Sequence, residues 1–539
     1  MTHPRLTFHG AAGAVTGSCF RLQTEAGQLL IDCGMFQGSK TEKELNYRPF
    51  PFAPEKIAAV ILSHAHIDHS GLLPKLVRHG FSGGIHATPA TMDLAGVMLP
   101  DSAHIQQVEV EQFNRRAARR DRGKVEPIYD GADVKACLAL FRPHDLNDWF
   151  DVLPGLRARF WNAGHLLGSA SVEIELTQAG SSFPMRLLFS GDIGPDYKLL
   201  HADPEGPSGV DYLICESTYG DTDRAEATAA GRRSLLRDEV RAAMHPNGAL
   251  LIPSFAVERA QELVSDIGRL IAEGELPDIP IYVDSPLATR ATEVFAQHHR
   301  DLEDGALLMK VLQARNLHFT ESREQSMALD EAQGFHIVIA ASGMCDAGRI
   351  RHRLKNWLWR EEATVLFTGF QAEGTLGRIL QNGARSVRIQ GEEFAVRARI
   401  RSLDLYSGHA DGPELADWIR ARLPLTHELF LVHGEPDSID ALAARLEGVI
   451  SAERVLQPML DEGFDLTDSG AVRLSQDSPR RLAPERLARL DWHNDVSRLI
   501  LDINDALAAR PDEKTRAALI RRLRRAVDGD PEGNPARQG

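Results

Sequence analysis

Short apolar runs separated by glycines and polar turns make up the first two hundred residues. The run AAVILS at 58–63 has the length of a buried strand, and a histidine-rich loop follows it directly. GLLPKLVRHG at 71–80 is predicted to form a helix that ends at its glycine. Residues 90–121 have a helical pattern, and residues 156–176 are typical of paired strands. This pattern predicts a strand-rich layered domain with polar loops at the strand ends.

The pattern changes near residue 211, where predicted strands and helices begin to alternate. The apolar runs ALLIPSF at 249–255 and TVLFTGF at 364–370 are separated by stretches of helical spacing. Alternation of this kind is typical of a parallel sheet with crossover helices. Strand-like segments return after about residue 390, and the last sixty residues predict an amphipathic helix pair.

Composition and charge narrow the class of protein. The chain has 539 residues, of which 43% are hydrophobic and 25% charged, as expected for a globular protein. A formal net charge of −15 argues against binding of polyanions by the whole surface, so any nucleic-acid contact is expected to be local. Five scattered cysteines give no disulfide framework, and the chain shows neither a leader pattern nor a long apolar run. We therefore expect a cytoplasmic protein without a membrane partner.

The segment SHAHIDH at 63–69 carries the strongest chemical signal in the chain. It places His64, His66, Asp68 and His69 within six residues, directly after a predicted strand. The first two histidines alternate on extended chain and point to one side, whereas the other two residues begin the next turn. One loop can thus contribute to two coordination spheres. Neutral imidazole and carboxylate are ligands that suit zinc.

Two zinc ions need more ligands than this loop contains, and three further residues stand at predicted strand ends. They are His165 in NAGHLLGS, Asp192 in FSGDIG and His433 in LVHGE. We predict that Asp192 bridges the two ions. Two cations about 3.5–4 Å apart lower the pKa of a shared water and clamp both oxygens of a displacement. Asp32, at the end of an earlier strand, is expected to orient a ligand histidine.

The motifs HAHIDH, NAGHLLGS and FSGDIG resemble the metal motifs of the metallo-β-lactamase superfamily, whose fold is an αββα sandwich. LICESTYGD, YSGHAD and LVHGE, which contain Glu216, His409 and His433, resemble three further motifs of its β-CASP branch, which acts on nucleic acids. GAAGAVTGSCF, LIPSFAVERAQEL, YVDSPLA, ASGMCDAGR and GFQAEGTLGR match that branch as well, in order, up to about residue 436. The chain is especially similar to bacterial and archaeal ribonucleases related to the nuclease subunit of the eukaryotic pre-mRNA 3′-end cleavage factor.

This resemblance implies an α/β architecture in which a parallel α/β β-CASP segment is inserted into the αββα sandwich, with the active site in the cleft between them. The predicted boundaries place the first part of the sandwich at 1–210, the insertion at 211–390 and the return segment at 391–470. A helical C-terminal extension is predicted at 471–539. The change of pattern near 211 and the return near 390 agree with this division.

The resemblance also implies a zinc-dependent ribonuclease, endonucleolytic or 5′-exonucleolytic, with a role in RNA processing or decay. In such enzymes a hydroxide activated by two Zn²⁺ attacks a backbone phosphorus in line, leaving a 5′-phosphate and a 3′-hydroxyl. Asp68, His409 and Glu216 are the expected catalytic residues. His409 is the predicted general acid or phosphate donor, with Glu216 as its orienting carboxylate. Single-stranded RNA is the expected partner, and a homodimer is left open.

Two segments outside the principal motifs bear on substrate binding. Ser342 and Gly343 at a strand end, with Arg349 nearby, are predicted to place backbone N–H groups and a guanidinium on a phosphate, and a simple turn is the alternative interpretation. SGHAD has Gly408 where the family is expected to have alanine, a difference expected to cost nothing sterically. Arg353 stands where relatives often have a second histidine, so that position is left outside the site.

Three other functions compete with an RNA-cleaving enzyme. A lactamase or thioesterase of the same superfamily would not need the inserted segment and the three late motifs. An RNA-binding scaffold without activity is disfavoured because every predicted ligand is present. A DNA-directed nuclease is the hardest alternative to dismiss, since nothing in the sequence directly recognises a 2′-hydroxyl. His433 favours RNA only by analogy with the family.

Overall fold

The computed structural model describes residues 3–118, 124–177, 183–224, 228–372, 374–475 and 480–482, together with 503, 506 and 512–528. By its internal contacts the chain divides into two compact units, Met1–Arg489 and Leu490–Gly539. Within the described ranges, no helix combines the length and apolar character needed to cross a bilayer.

The strands form three large sheets and one hairpin. In chain order the strands are β1 Arg5–Phe8, β2 Phe20–Thr24, β3 Gly27–Ile31, β4 Ile57–Ile61, β5 Gly84–Ala87, β6 Phe141–Pro143, β7 Trp149–Leu153, β8 Leu156–Asn162, β9 Ala170–Leu176, β10 Met185–Phe189, β11 Tyr212–Glu216, β12 Ala249–Pro253, β13 Ile281–Asp284, β14 Leu317–Phe319, β15 His336–Ala340, β16 Thr364–Phe367, β17 Ser386–Ile389, β18 Glu392–Ala395, β19 Arg399–Ser402, β20 Leu429–Val432, β21 Val455–Leu456, β22 Glu462–Thr467 and β23 Gly470–Arg473.

The helices lie mostly between these strands. They are α1 Lys40–Lys43, α2 Ile67–Ser70, α3 Leu73–Arg78, α4 Pro89–Ala118, α5 Gly131–Leu138, α6 Ala229–Ala243, α7 Arg259–Ala272, α8 Pro286–Gln297, α9 Gly305–Leu312, α10 Arg323–Ala328, α11 Ile350–Trp357, α12 Leu376–Gln381, α13 Gly412–Arg420, α14 Pro436–Arg445 and α15 Glu513–Asp528.

Two mixed sheets pack face to face and form the sandwich. The first has the order β23-β22-β1-β2-β3-β4-β5-β6 and the second β21-β20-β11-β10-β9-β8-β7. Their facing sides share one apolar core that contains, among others, Phe8, Phe160 and Phe430. Helices cover both outer faces: α3 to α5 pack on the first sheet, and α13 and α14 on the second. This is the predicted αββα arrangement.

The third sheet has the order β14-β13-β15-β12-β16-β19, and every neighbouring pair in it is parallel. Its strands β12 and β15 are buried along their whole length, as expected for a parallel sheet covered by helices on both faces. The alternating pattern after residue 211 predicted this sheet correctly.

Sheet membership divides the chain differently from the predicted boundaries at both ends of the insertion. Strand β11, at 212–216, pairs with β10 and β20 in the sandwich, although it follows the predicted boundary at 211. Strand β19, at 399–402, pairs with β16 in the third sheet, although it follows the predicted return at 390. The apolar pattern of a strand does not specify which neighbour it pairs with, so sequence alone could not assign these two.

The second compact unit contains α15, whose sequence EKTRAALIRRLRRAVD is amphipathic and basic. The predicted helix pair at the C-terminus, with apolar Leu487, Leu490, Val496, Leu499 and Ile500, lies outside the described residues. Residues 471–473 belong to strand β23 of the first sheet, so the predicted start of the helical extension at 471 is wrong. Beyond them, the prediction rests on the sequence, apart from α15.

Candidate metal centre

The predicted ligands meet where strands of the two sandwich sheets end. His64 and His66 follow β4, and Asp68 and His69 lie on the short helix α2. The remaining three ligands come from the second sheet, where each follows the end of a strand: His165 after β8, Asp192 after β10 and His433 after β20. Strand ends at one edge of a sandwich converge, which explains how residues from four parts of the chain meet.

The first ligand group contains His64, His66, His165 and Asp192. His66 Nδ1 lies 3.2 Å from His64 Nε2 and 3.0 Å from His165 Nε2. Asp192 Oδ2 lies 3.4 Å from His64 Nε2 and 3.6 Å from His165 Nε2. Four ligand atoms thus surround one small space, as a tetrahedral metal ion requires.

The second ligand group contains Asp68, His69 and His433. His69 Nε2 lies 3.1 Å from His433 Nε2, and Asp68 Oδ2 lies 3.8 Å from the same His433 nitrogen. The other oxygen of Asp192 completes this group, because its Oδ1 lies 3.2 Å from His69 Nε2 and 3.7 Å from His433 Nε2. Asp192 therefore lies between the groups with one carboxylate oxygen toward each.

The donor set fits a pair of cations. His165 Nδ1 donates to the Gly408 carbonyl at 2.7 Å, so its Nε2 presents a lone pair to the first group. Asp192 Oδ1 is buried and has no hydrogen-bond partner within the described part of the chain. Converging lone pairs and a buried unpartnered carboxylate oxygen are costly unless a positive charge lies between them.

Three further ligand histidines have a polar partner on the far side of the ring. His69 Nδ1 lies 2.7 Å from Asp32 Oδ2, as expected from the sequence, and His433 Nδ1 lies 3.1 Å from Thr218 Oγ1. His64 Nδ1 lies 3.1 Å from Ser63 Oγ. These contacts fix the ring orientation and leave the opposite nitrogen toward the metal-binding space.

Two of these residues have left-handed backbone conformations. Asp32 has φ 60° and His433 has φ 51°. Neither residue is glycine, so both conformations carry strain that the surrounding hydrogen bonds must offset. The Asp32 carboxylate accepts from the Ser63 N–H at 2.8 Å and from the Ser18 hydroxyl at 3.0 Å. This network holds Asp32 beneath the histidine-rich loop.

Burial controls the charge state of the first group. It lowers the pKa of His66 to about 4 and holds the pKa of His64 and His165 well below the ordinary range. His69 differs, because the carboxylates of Asp192 and Asp32 outweigh burial and raise its pKa well above the ordinary value. The first group therefore presents neutral imidazoles, the form that binds metals.

His409 lies beside the metal-binding space and is not part of either ligand group. Its Nδ1 lies 3.2 Å from Glu216 Oε1, and its Nε2 lies 3.9 Å from Asp192 Oδ2. Glu216 is itself fixed, since its carboxylate accepts from the Ile193 N–H at 2.6 Å and the Thr218 N–H at 3.2 Å. The structure brings His409 and Glu216 together as the sequence predicted, with the free edge of the imidazole toward the centre.

The predicted phosphate-binding segment has a different arrangement from the one expected. Arg349 donates to Asp284 Oδ1 at 2.9 Å, to the Thr320 carbonyl at 3.0 Å and to the Glu321 carbonyl at 2.6 Å. The Ser342 N–H is bonded to the Ala347 carbonyl at 3.3 Å. These bonds hold Arg349 and the Ser342 N–H within the loop, and their predicted contact with phosphate stays a prediction.

Gly343 lies against an aromatic ring, where a side chain would be crowded. A Cβ at this position would lie 3.3 Å from the Phe255 ring. The structure places Gly343 at the carboxyl edge of the third sheet, and its predicted contact with substrate stays a prediction.

The space around Gly408 is smaller than the sequence suggested. A Cβ at this position would lie 2.9 Å from His165 Cε1 and 3.2 Å from its Nδ1. The same residue accepts the His165 hydrogen bond through its carbonyl. The expectation that alanine and glycine are sterically equivalent here is therefore wrong for this geometry, because the backbone lies directly against a ligand ring.

Lys198 and Glu258 belong to the surroundings of the site and were not recognised from the sequence. Lys198 donates to the His165 carbonyl and lies 2.8 Å from Glu258 Oε1, and His201 Nε2 lies 2.7 Å from Glu258 Oε2. Burial would raise the pKa of Glu258, but His201 and Lys198 lower it to about 2. Glu258 precedes α7, so a buried charged network links the third sheet to a ligand loop. The unusual left-handed φ of 74° at Glu258 marks the position, although no sequence pattern signals it.

The αββα sandwich and its edge of histidines and aspartates define the class of metallo-β-lactamase-fold hydrolases. Three family models match the chain: the metallo-beta-lactamase superfamily at 12–254, the Beta-Casp domain at 260–380, and the Zn-dependent metallo-hydrolase RNA specificity domain at 393–454. Ribonuclease TTHA0252 of Thermus thermophilus is 36% identical over 449 residues, which cover 82% of this chain and 96% of that protein. The chain belongs to the β-CASP ribonuclease family of this superfamily.

Two archaeal relatives show the range of the family. An RNase J-like protein of Methanocaldococcus jannaschii is 30% identical over 434 residues, covering 80% of this chain and 92% of that protein. The transcription termination factor FttA of Methanosarcina mazei is 28% identical over 458 residues, covering 82% of this chain and 68% of that protein. The family predicted from the sequence motifs is therefore confirmed.

Proposed function

We propose that this protein hydrolyses phosphodiester bonds of RNA at a centre that holds two zinc ions. The observation that carries the proposal is the convergence of two ligand groups on the two oxygens of Asp192. Relatives named as ribonucleases and a matching RNA specificity domain support RNA as the substrate. The Zn-dependent metallo-hydrolase description of that domain supports zinc as the metal.

The residues of the chain would hold the ions in a fixed arrangement. His64, His66 and His165 would bind one ion, Asp68, His69 and His433 the other, and Asp192 both. Bound zinc lowers the pKa of water and offsets the negative charge of the phosphate. Asp32 and the other partners behind the rings keep the ligand nitrogens aimed at the ions.

His409 is the proposed proton donor to the leaving 3′-oxygen. Glu216 raises the pKa of His409 against the effect of burial, which favours the protonated imidazole. With Nδ1 toward Glu216, the ring presents Nε2 to the centre. The His409 side chain is 21% exposed, so it borders the space that substrate must enter. General acid catalysis of this kind typically contributes about 10²- to 10⁴-fold.

Asp68 is proposed to act in both binding and catalysis. Its side chain is 22% exposed, whereas that of Asp192 is 2% exposed. A ligand carboxylate with one side open to the cleft is placed to accept a proton from the attacking water. Asp68 begins the first turn of α2, so its position is set by the same loop that holds His66 and His69.

The experiment compares purified protein of measured zinc content with the Asp192→Ala variant. Single-stranded RNA labelled at the 5′ or the 3′ end, and DNA of the same sequence, serve as substrates. We expect zinc-dependent cleavage of RNA by the wild-type protein and none by Asp192→Ala. Product ladders from the two labels distinguish endonucleolytic from 5′-exonucleolytic action.

Two results would contradict the proposal. Cleavage of DNA in preference to RNA would identify a DNA-directed nuclease. Absence of nucleic-acid cleavage despite two bound zinc ions per chain would point to a small-molecule ester or thioester. Two further proposals can be tested separately. Light scattering of the same preparation tests whether the protein is a homodimer. Fractionation of cells tests the proposed cytoplasmic location.

A further inference from the structure

Two exposed aromatic rings lie at one edge of the third sheet. Phe255 follows β12 and is 43% exposed, and Phe370 follows β16 and is 46% exposed. The two strands are parallel neighbours, so both rings extend from the same carboxyl edge. A single exposed apolar side chain is ordinary, but two phenylalanines at one edge of a buried parallel sheet form a surface that needs an explanation.

An arginine accompanies each ring. The Arg259 guanidinium lies 4.9 Å from the Phe255 ring centroid, and the Arg378 guanidinium lies 5.6 Å from that of Phe370. Arg259 Nη1 is buried and has no hydrogen-bond partner among the residues that the structure describes. A Cβ at Gly369 would lie 2.7 Å from the Arg259 guanidinium, so glycine there lets the chain before Phe370 pass close to this charge.

A hydrogen bond and ring contacts connect this surface to the metal centre. Arg259 Nε donates to the Tyr406 carbonyl at 2.8 Å, three residues before His409. On the other side, the Tyr219 ring lies 5.9 Å from the His409 ring and 4.7 Å from the Arg224 guanidinium. The Nε, Nη1 and Nη2 atoms of Arg224 are buried without a hydrogen-bond partner among the described residues, and Nη2 lies 3.8 Å from Asp404 Oδ2.

We propose that Phe255 and Phe370 are stacking platforms for unpaired bases of the RNA strand beside the scissile phosphate. The buried guanidinium groups of Arg259 and Arg224 supply positive charge beneath the phosphates between the stacked bases and the centre. This inference rests on the proposed function and adds how the substrate strand is held.

The chemistry of the surface selects single-stranded nucleic acid. Base–aromatic stacking needs a base whose face is free, which a duplex does not offer. Every base has such a face, so stacking tolerates sequence, and buried guanidinium groups favour phosphate over neutral ligands. The net charge of −15 leaves most of the surface unfavourable to RNA, so a local set of this kind is required.

The experiment measures kcat and KM of zinc-loaded full-length protein on a ten-nucleotide single-stranded RNA and on bis(p-nitrophenyl) phosphate. The variants are Phe255→Leu and Phe370→Leu, which keep apolar volume and remove the aromatic face. Phe113→Leu is the matched control, because Phe113 is 49% exposed. It lies 22 residues beyond Thr91, about 33 Å along α4 from the end that packs on the ligand loops.

We expect each ring variant to raise KM for RNA about tenfold, with kcat changed less, so that the ratio of RNA to small-ester kcat/KM falls about tenfold. The Phe113→Leu control keeps the wild-type ratio. An unchanged ratio in the ring variants overturns the inference, and so does a parallel loss of both activities, which would show that the rings are only structural. Wild-type protein that hydrolyses the small ester and not RNA would instead overturn the proposed function.

Discussion

The two ligand groups of the metal centre differ in what holds them in place. In the second group, His69 is supported by Asp32 and His433 by Thr218, residues that directly follow sandwich strands. In the first group, His165 is supported by Gly408 through its ring and by Lys198 through its carbonyl. Lys198 in turn pairs with Glu258, at the start of a helix that packs on the third sheet.

This difference shows how an inserted segment becomes part of a metal centre. The sandwich by itself orients the second group. The first group is oriented fully only when α7 and the loop at Gly408 are packed against it. Ligand orientation in such centres depends on partners one contact away, which here belong to different parts of the fold.

The largest effect is expected where the two groups meet. Asp192→Ala removes a ligand oxygen from both groups, so we expect loss of both zinc ions and of hydrolysis. His64→Ala removes a ligand from the first group alone, so we expect loss of hydrolysis with zinc at the second group retained in part. Zinc content by mass spectrometry and RNA cleavage measure both variants. Full activity in either would remove the dinuclear mechanism.

The next effect separates catalysis from metal binding. His409→Ala removes the proposed proton donor and leaves every ligand in place. We expect wild-type zinc content with turnover reduced about 10²- to 10⁴-fold. Loss of zinc in this variant would mean that His409 is a ligand.

A third pair of variants tests the comparison directly. Asp32→Asn removes the carboxylate behind His69, and Lys198→Met removes the cation that holds the His165 carbonyl. We expect zinc affinity to fall about 10- to 100-fold at the second site in Asp32→Asn and at the first site in Lys198→Met. Competition titration with a chromophoric chelator resolves the two sites. Equal weakening of zinc binding at both sites by both variants would show that the two ligand groups do not differ in their support.

The smallest effect is expected at Gly408. In Gly408→Ala the added methyl lies against His165, and the ring must shift away from its preferred rotamer. A shift of that size costs about 0.5–1.5 kcal/mol, or about 2- to 10-fold in metal affinity at the first site. The same zinc titration measures it. An unchanged affinity would show that the loop relaxes to accept the methyl group.

The sequence was most informative where chemistry is local. The histidine-rich loop at 63–69 places four candidate ligands in six residues, and strand ends recur before Asp192 and His433. The family and the proposed ligand set therefore both followed from motifs. The alternation of strand and helix after residue 211 was equally local and predicted the third sheet. The hydrophobic periods of strands and helices, two and 3.6 residues, are short-range properties of the sequence and can be recognised without knowledge of the fold.

Long-range contacts could not be predicted from the sequence. Arg349 is predicted to bind a phosphate, and its hydrogen bond to Asp284, sixty-five residues away, could not be predicted from the sequence. The pairing of β11 and β19 with their neighbours, which moved both ends of the insertion, was decided in the same way.

The sequence by itself determined which residues are candidate metal ligands, because residue types and their spacing can be read along short stretches of chain. Only the tertiary structure decided how those residues are supported and where the exposed rings and the buried guanidinium groups lie. Gly408 meets His165 across 243 positions, and Tyr406 meets Arg259 across 147. Such pairs form because packed sheets bring strand ends together. The type of a side chain does not indicate which residue so far away in the sequence it will contact.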